Sequence, residues 1–190
     1  EVLWHTLPGT ATGDNINDMV IDTVNGNVVY VALDSGRVVR VTQAHVETEV
    51  FPAQTALHAK PEVSIALEPT TQNIWVILRN EGSLFEVDRT SLVATLKAHY
   101  PTLIPGVVRI NRIAFEPVGG RLFATTFITG PNRGVVTRFD PLSPGTLTEW
   151  ALGLHSLSND PDDLEWAPDG SCLYFTSPLM GNVFRICKCE

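Results

Sequence analysis

Lysine is scarce in this chain: Lys60, Lys97 and Lys188 are the only three in 190 residues, and they stand far apart. Basic side chains number 13 against 21 acidic ones, for a net charge of −8. No run of neighbours can therefore build the basic surface that nucleic acid or an anionic membrane requires, and neither is expected as a partner. Long apolar runs are missing as well. A stretch such as 27–33 falls far short of the roughly 18 residues that a membrane-spanning helix needs, which argues against membrane insertion. Cysteine occurs only at 172, 187 and 189, which is not the dispersed framework of a small disulfide-stapled domain. There is no Gly-x-Ser-x-Gly elbow, phosphate loop or His-Glu-x-x-His pattern. No catalytic residue can be named from a motif, and no organic cofactor is implied.

What is present is a repeat. The segment 36–41 (Gly-Arg-Val-Val-Arg-Val) returns as 82–87, 134–139 and 181–186, each with glycine first, a charged residue fifth and an apolar residue sixth. About ten residues upstream of each lies a second apolar stretch, at 28–31, 74–77, 122–125 and 173–176, and before that a third, at 19–22, 65–68, 113–116 and 164–167. The turns between these two stretches carry Asn-Gly, Gly-Gly or Pro-Asp-Gly in three of the four units, the chemistry of a tight chain reversal. Fourth stretches follow at 46–51, 92–96 and 147–152. With 44% hydrophobic and 18% charged residues, and no sustained helical period, the chain reads as all-β.

Four short strands recurring every 40–50 residues predict a β-propeller with four four-stranded blades. The expected blades are 17–54, 62–98, 111–153 and 162–190, in one domain over 1–190. The last unit lacks an outer strand, and residues 2–7 (Val-Leu-Trp-His-Thr-Leu) resemble one. They are expected to complete the last blade and close the ring, because an open array leaves strand edges exposed. The rival is that the chain is a piece of a larger propeller.

The unit at 162–177 with 181–186, and the opening at 17–22, resemble blades of the SMP-30/gluconolactonase and NHL/YVTN-type propellers. Structural glycines and strand apolars carry that resemblance, so it bears on fold more than on function. In the lactonases of that group, Glu, Asn and Asp at blade openings hold a divalent cation. Carried over, Asn17, Asn111 and Asp162 match the openings, Asp18 and Asp163 follow them, and Val63 stands where a fourth ligand would be. The resemblance thus implies a candidate site for Ca²⁺ or another divalent cation, which could polarise a lactone carbonyl. The competing reading makes these residues turn formers that bond their own backbone.

Other candidates are architectural. His58, His99 and His155 fall in connections between units and read as solvated. Trp4, Trp75, Trp150 and Trp166 are expected to fill gaps between blades. Asp22, Glu68 and Glu116 recur on the first strands, where pairing with the charged residues Arg40, Glu86, Arg138 and Arg185 of the third strands is open to them. Cys172 is placed to bridge Cys187 or Cys189, with buried free thiols as the alternative. A bridge would imply an oxidising compartment.

The functional expectation is a secreted, non-enzymatic binding or assembly module acting through its rim loops on a protein or small molecule, with self-association left open. Its best partner contact is Pro131, Asn132 and Arg133 in the insert 127–134. The alternative is a metal-dependent lactonase or esterase.

Overall fold

A computed structural model describes residues 14–52, 62–103, 107–128, 133–141, 147–151, 162–177 and 181–188. The chain forms four antiparallel sheets, each a meander of consecutive strands. The first holds β1 (Ile16–Asp22), β2 (Val28–Leu33), β3 (Val38–Val41) and β4 (Glu47–Phe51). The second holds β5 (Val63–Leu67), β6 (Ile74–Leu78), β7 (Ser83–Val87) and β8 (Ala94–His99). A single helical turn, α1 (Tyr100–Leu103), leads into the third, made of β9 (Val107–Phe115), β10 (Leu122–Ile128), β11 (Arg133–Phe139) and β12 (Leu147–Ala151). The fourth contains β13 (Leu164–Trp166), β14 (Cys172–Ser177) and β15 (Asn182–Cys187).

The first strands of successive sheets lie side by side, β5 between β1 and β9, and β9 beside β13. This side-by-side placement is that of a propeller-like fold, and the strand positions follow the repeat read from the sequence. Two features go beyond it. The helical turn at Tyr100 was not foreseen, and β9 begins at Val107, with irregular register against β10 at Thr125/Thr126 and at Phe127/Ile128. Residues 2–7 lie outside the described residues, as do Trp4, His58, His155 and Cys189.

The repeat glycine has a local cause in three units: Gly36, Gly82 and Gly181 adopt φ of 82°, 69° and 62°, where a Cβ is disfavoured. The fourth, Gly134, instead sits within β11 opposite Phe127. β-branched and aromatic residues fill both faces of the central strands, since every inner sheet is covered on two sides. One apolar cluster joins the first two sheets around Tyr30, Val63 and Val76. A second joins the second and third around Trp75, which meets Phe115 at 5.6 Å and Phe139 at 6.0 Å between ring centroids. A third lies between the third and fourth, where Phe123 and Trp166 meet edge to face at 5.0 Å. Trp75 and Trp166 thus fill inter-sheet wedges, and truncating either to Ala would cost about 3–5 kcal/mol. Trp150 lies on β12, with its side chain outside the described residues.

The recurrent carboxylates do a different job from cross-strand pairing. Asp22 accepts from the backbone N–H groups of Val24 and Asn25, and Glu68 accepts from Thr70, Thr71 and the Trp75 indole. Glu116 binds Lys188 and lies 3.9 Å from Arg121. The first two brace the hairpin turn that follows their own strand, because a side chain at the strand end reaches those orphan donors sooner than it reaches the third strand. Of the third-strand residues, Glu86 pairs with Lys97 at 2.6 Å and with Asn73, while Arg40 reaches Thr48 at 3.5 Å.

The channel mouth as candidate functional site

One tier of residues comes together from the openings of β1 and β5, the middle of β9 and the residue before β13: Asp18, Ser64, Arg112 and Asp163, each second in its blade opening. Arg112 is the hub. Its Nη2 donates to the carbonyl of Asn17 at 2.8 Å, Nη1 lies 3.5 Å from Asp18 Oδ2, and Nε lies 3.5 Å from Asp163 Oδ1. Asp18 Oδ2 also accepts from Ser64 Oγ at 2.7 Å and from the Ile65 N–H at 2.9 Å. Ser64 Oγ in turn accepts from the Ile113 N–H at 3.2 Å. All four sheets are tied by this one network.

A second tier stands beside it. Arg79, at the end of β6, is buried at 7% exposure. Its Nη2 donates to Asn111 Oδ1 at 3.1 Å and lies 3.6 Å from Asp162 Oδ1, and its Nη1 lies 3.3 Å from Glu62 Oε2. Arg109 Nη2 reaches the same Glu62 oxygen at 3.1 Å. Burial pushes the Arg79 pKa down, Arg109 pushes it further, Glu62 opposes this, Arg112 lowers it again and Asp162 opposes. The structure therefore brings Asn17, Asp18, Asn111, Asp162 and Asp163 to one mouth, but around guanidinium groups. A divalent cation would be held by these oxygens only with Arg79 and Arg112 withdrawn, since like charges at such distances repel strongly. Among the described residues, no three His, Cys, Asp or Glu side chains are grouped as a metal would need.

Below the mouth is a cavity of about 510 Å³ between the four first strands, with Asp18, Arg112 and Glu165 among its polar lining and Ile21, Leu67 and Phe115 among its apolar lining. Glu165 has its pKa raised, first by burial and then by Asp163 and Asp18. Sequence reasoning passed over Arg79, Arg109 and Glu165. The available signal was Arg79 itself, a charge directly after five consecutive buried strand residues, Ile74–Leu78.

The remaining candidates lie elsewhere. Cys172 and Cys187 form a disulfide between directly opposed positions of β14 and β15. His99, at the end of β8, pairs through Nδ1 with Thr102 Oγ1 at 2.8 Å. Arg133 opens β11, whereas Pro131 and Asn132 lie outside the described residues. No helix among the described residues is long and apolar enough to cross a membrane.

No family model matches the chain, and no curated protein matches it. Solved structures do. An auxiliary nutrient-binding protein from Bacteroides thetaiotaomicron superposes with a TM-score of 0.71 at 14% identity, over 93% of this chain and 39% of that one. A catalytically inactive virginiamycin B lyase from Staphylococcus aureus, crystallised with quinupristin, gives 0.69 at 17%, over 97% and 55%. Regucalcin from Agrobacterium tumefaciens, a calcium-binding protein, gives 0.61 at 20%, over 92% and 54%. These are NHL/SMP-30-like β-propellers, so the resemblance carried by the blade motifs extends to the fold. The chain spans between about two fifths and just over half the length of these proteins.

Proposed function

We propose that this chain is a secreted, non-enzymatic binding propeller of four blades, its ring closed by residues 2–7 against β15, acting on a protein or small molecule through its rim. The observation that carries this reading is the use made of the channel-mouth oxygens. Asp18, Asp162 and Asp163 face guanidinium groups that tie blade to blade, so the polar centre serves as architecture and leaves recognition to the rim. The likeness to a nutrient-binding propeller supports it. Pro131 and Asn132, ahead of β11, together with Arg133, which opens it, are the proposed partner contact. Replacing these three residues with Gly-Ser-Gly is expected to weaken partner binding at an unchanged melting temperature; binding that persists at full strength removes this loop.

The second reading is a metal-dependent lactonase or esterase, favoured by the likeness to a calcium-binding propeller and by the convergence of Asp18, Asp163 and Glu165 on one cavity. Ca²⁺ would have to compete with Arg112 for Asp18 and Asp163, which places its affinity at the weak end, around 10⁻⁴ to 10⁻³ M. Thermal melts in millimolar Ca²⁺ against chelator, repeated for Asp162→Ala and joined to a lactone hydrolysis assay, separate the two readings. A Ca²⁺ shift lost in the variant, with turnover, favours the enzyme, and the absence of any shift ends that reading.

A further inference from the structure

Arg79 is a buried cation short of acceptors. A guanidinium carries five donors, yet among the described contacts Arg79 makes one side-chain hydrogen bond, to Asn111, and two ion pairs at 3.3 and 3.6 Å. Its Nε is buried without a hydrogen-bond partner. Such a group is costly unless something supplies the missing oxygen. The carboxylate of Glu62 supplies it poorly, because a single oxygen, Oε2, serves both Arg79 Nη1 and Arg109 Nη2. Guanidinium and carboxylate bind best as a parallel fork with two oxygens engaged.

The surroundings suit exchange. Glu62 and Arg109 have side chains 34% and 38% exposed, so the outer half of the cluster is reachable while Arg79 forms its floor. Glu62 also holds φ at +43°, a left-handed backbone that is unfavourable for a residue with a side chain. It is pinned there by the hydrogen bond from the Arg79 N–H to its own carbonyl.

We infer that Arg79 and Arg109 form a subsite for the carboxylate of a small organic acid or peptide, with the Glu62 side chain as the internal occupant that the ligand displaces. This goes beyond the rim reading: it adds a second ligand contact, of stated chemistry, on the exposed side of the channel-mouth cluster. One carboxylate replaces another, so the local charge is unchanged. Phosphate, carrying more charge, would enter against Asp162 and the neighbouring Asp163 and Asp18 at a greater electrostatic cost.

Acetate is the probe, titrated into the full chain against chloride at fixed ionic strength and followed through the arginine Nε–H NMR signals. The Arg79 and Arg109 signals should move saturably. Glu62→Gln, which removes the competitor, should tighten acetate binding at least tenfold, and adding Arg109→Gln should abolish the gain. If Glu62→Gln does not fold, the wild-type titration and Arg109→Gln alone decide the matter. Acetate acting no differently from chloride overturns the subsite, and so does inorganic phosphate binding the same atoms as tightly as acetate. Failure here leaves the 131–133 replacement to judge the rim reading separately: a partner that still needs that loop, with no acetate effect, defeats the subsite alone.

Discussion

Arg112 on β9 donates to the backbone carbonyl of Asn17 on β1 across 95 residues of sequence, at 2.8 Å. Asp18 and Asp163 each lie 3.5 Å from the same guanidinium. One side chain therefore holds the first, third and fourth sheets in register, and Asp18 brings in the second through Ser64. Removing one partner of a largely buried ion pair leaves the other charge unpaired and costs about 3–5 kcal/mol. Because the Arg112 side chain is 21% exposed, the lower end applies. Arg112→Met should lower the urea unfolding free energy by roughly 3 kcal/mol. Asp163→Asn should cost much less, since that side chain is 70% exposed and exposed pairs contribute little. Equal losses in the two variants would remove Arg112 as the hub.

Glu165, an exposed residue of β13, should give the channel a small pH dependence. Its pKa is raised above the ordinary 4.5 by burial and by Asp163 and Asp18. The folded state thus favours the protonated form, and that stability is complete below about pH 4.5 and lost as pH rises through the raised folded value. Glu165→Gln should raise the melting temperature at pH 7 while matching the wild type at pH 4. Parallel curves from pH 4 to 8 would show that Glu165 does not carry this dependence.

The disulfide and Lys188 should act as a unit. Cys187 precedes Lys188, whose backbone N–H bonds Ser171 and whose ammonium binds Glu116, buried at 3% side-chain exposure, and lies 5.4 Å from the Trp166 ring centroid. Closing a loop of 15 residues is worth about 3 kcal/mol. Cys172→Ser with Cys187→Ser should lose that amount, plus part of the Lys188–Glu116 contact as the end of β15 frays. Lys188→Met added to the serine pair should then cost less than Lys188→Met alone. Strict additivity in denaturant melts would separate the two.

Gly119 leaves the space that Glu116 fills. A Cβ at 119 would fall on the Glu116 carboxylate, and that side chain cannot move without leaving Lys188. Gly119→Ala should therefore destabilise by about 1–3 kcal/mol, the usual range for overpacking, whereas Gly120→Ala meets no neighbouring atom and is penalised only by its φ of 63°. A melting temperature unchanged by Gly119→Ala would show that Glu116 has another place to go.

The local rules were legible in the sequence. Recurring runs of β-branched and aromatic residues marked the strands, and turn residues marked the hairpins, because both depend on contacts within a few residues or on the adjacent strand. The stretches read at 28–31, 74–77, 122–125 and 173–176 lie within β2, β6, β10 and β14 for that reason, and Trp75 and Trp166 could be assigned to inter-sheet packing from size and apolarity alone. The register of the blade openings was legible too, since it placed Asp18 and Asp163 in one column. What that column does could not be read from it. Whether an aspartate at a blade opening caps its turn, waits for a cation or answers an arginine depends on which side chains arrive from other sheets. Arg79 and Arg112 reach Asp162 and Asp18 across 83 and 94 residues. Charge pairing in a low-dielectric centre is set by distances between elements that no local pattern encodes, so the chain specified its blades strand by strand while the tertiary structure alone decided how their polar ends were used.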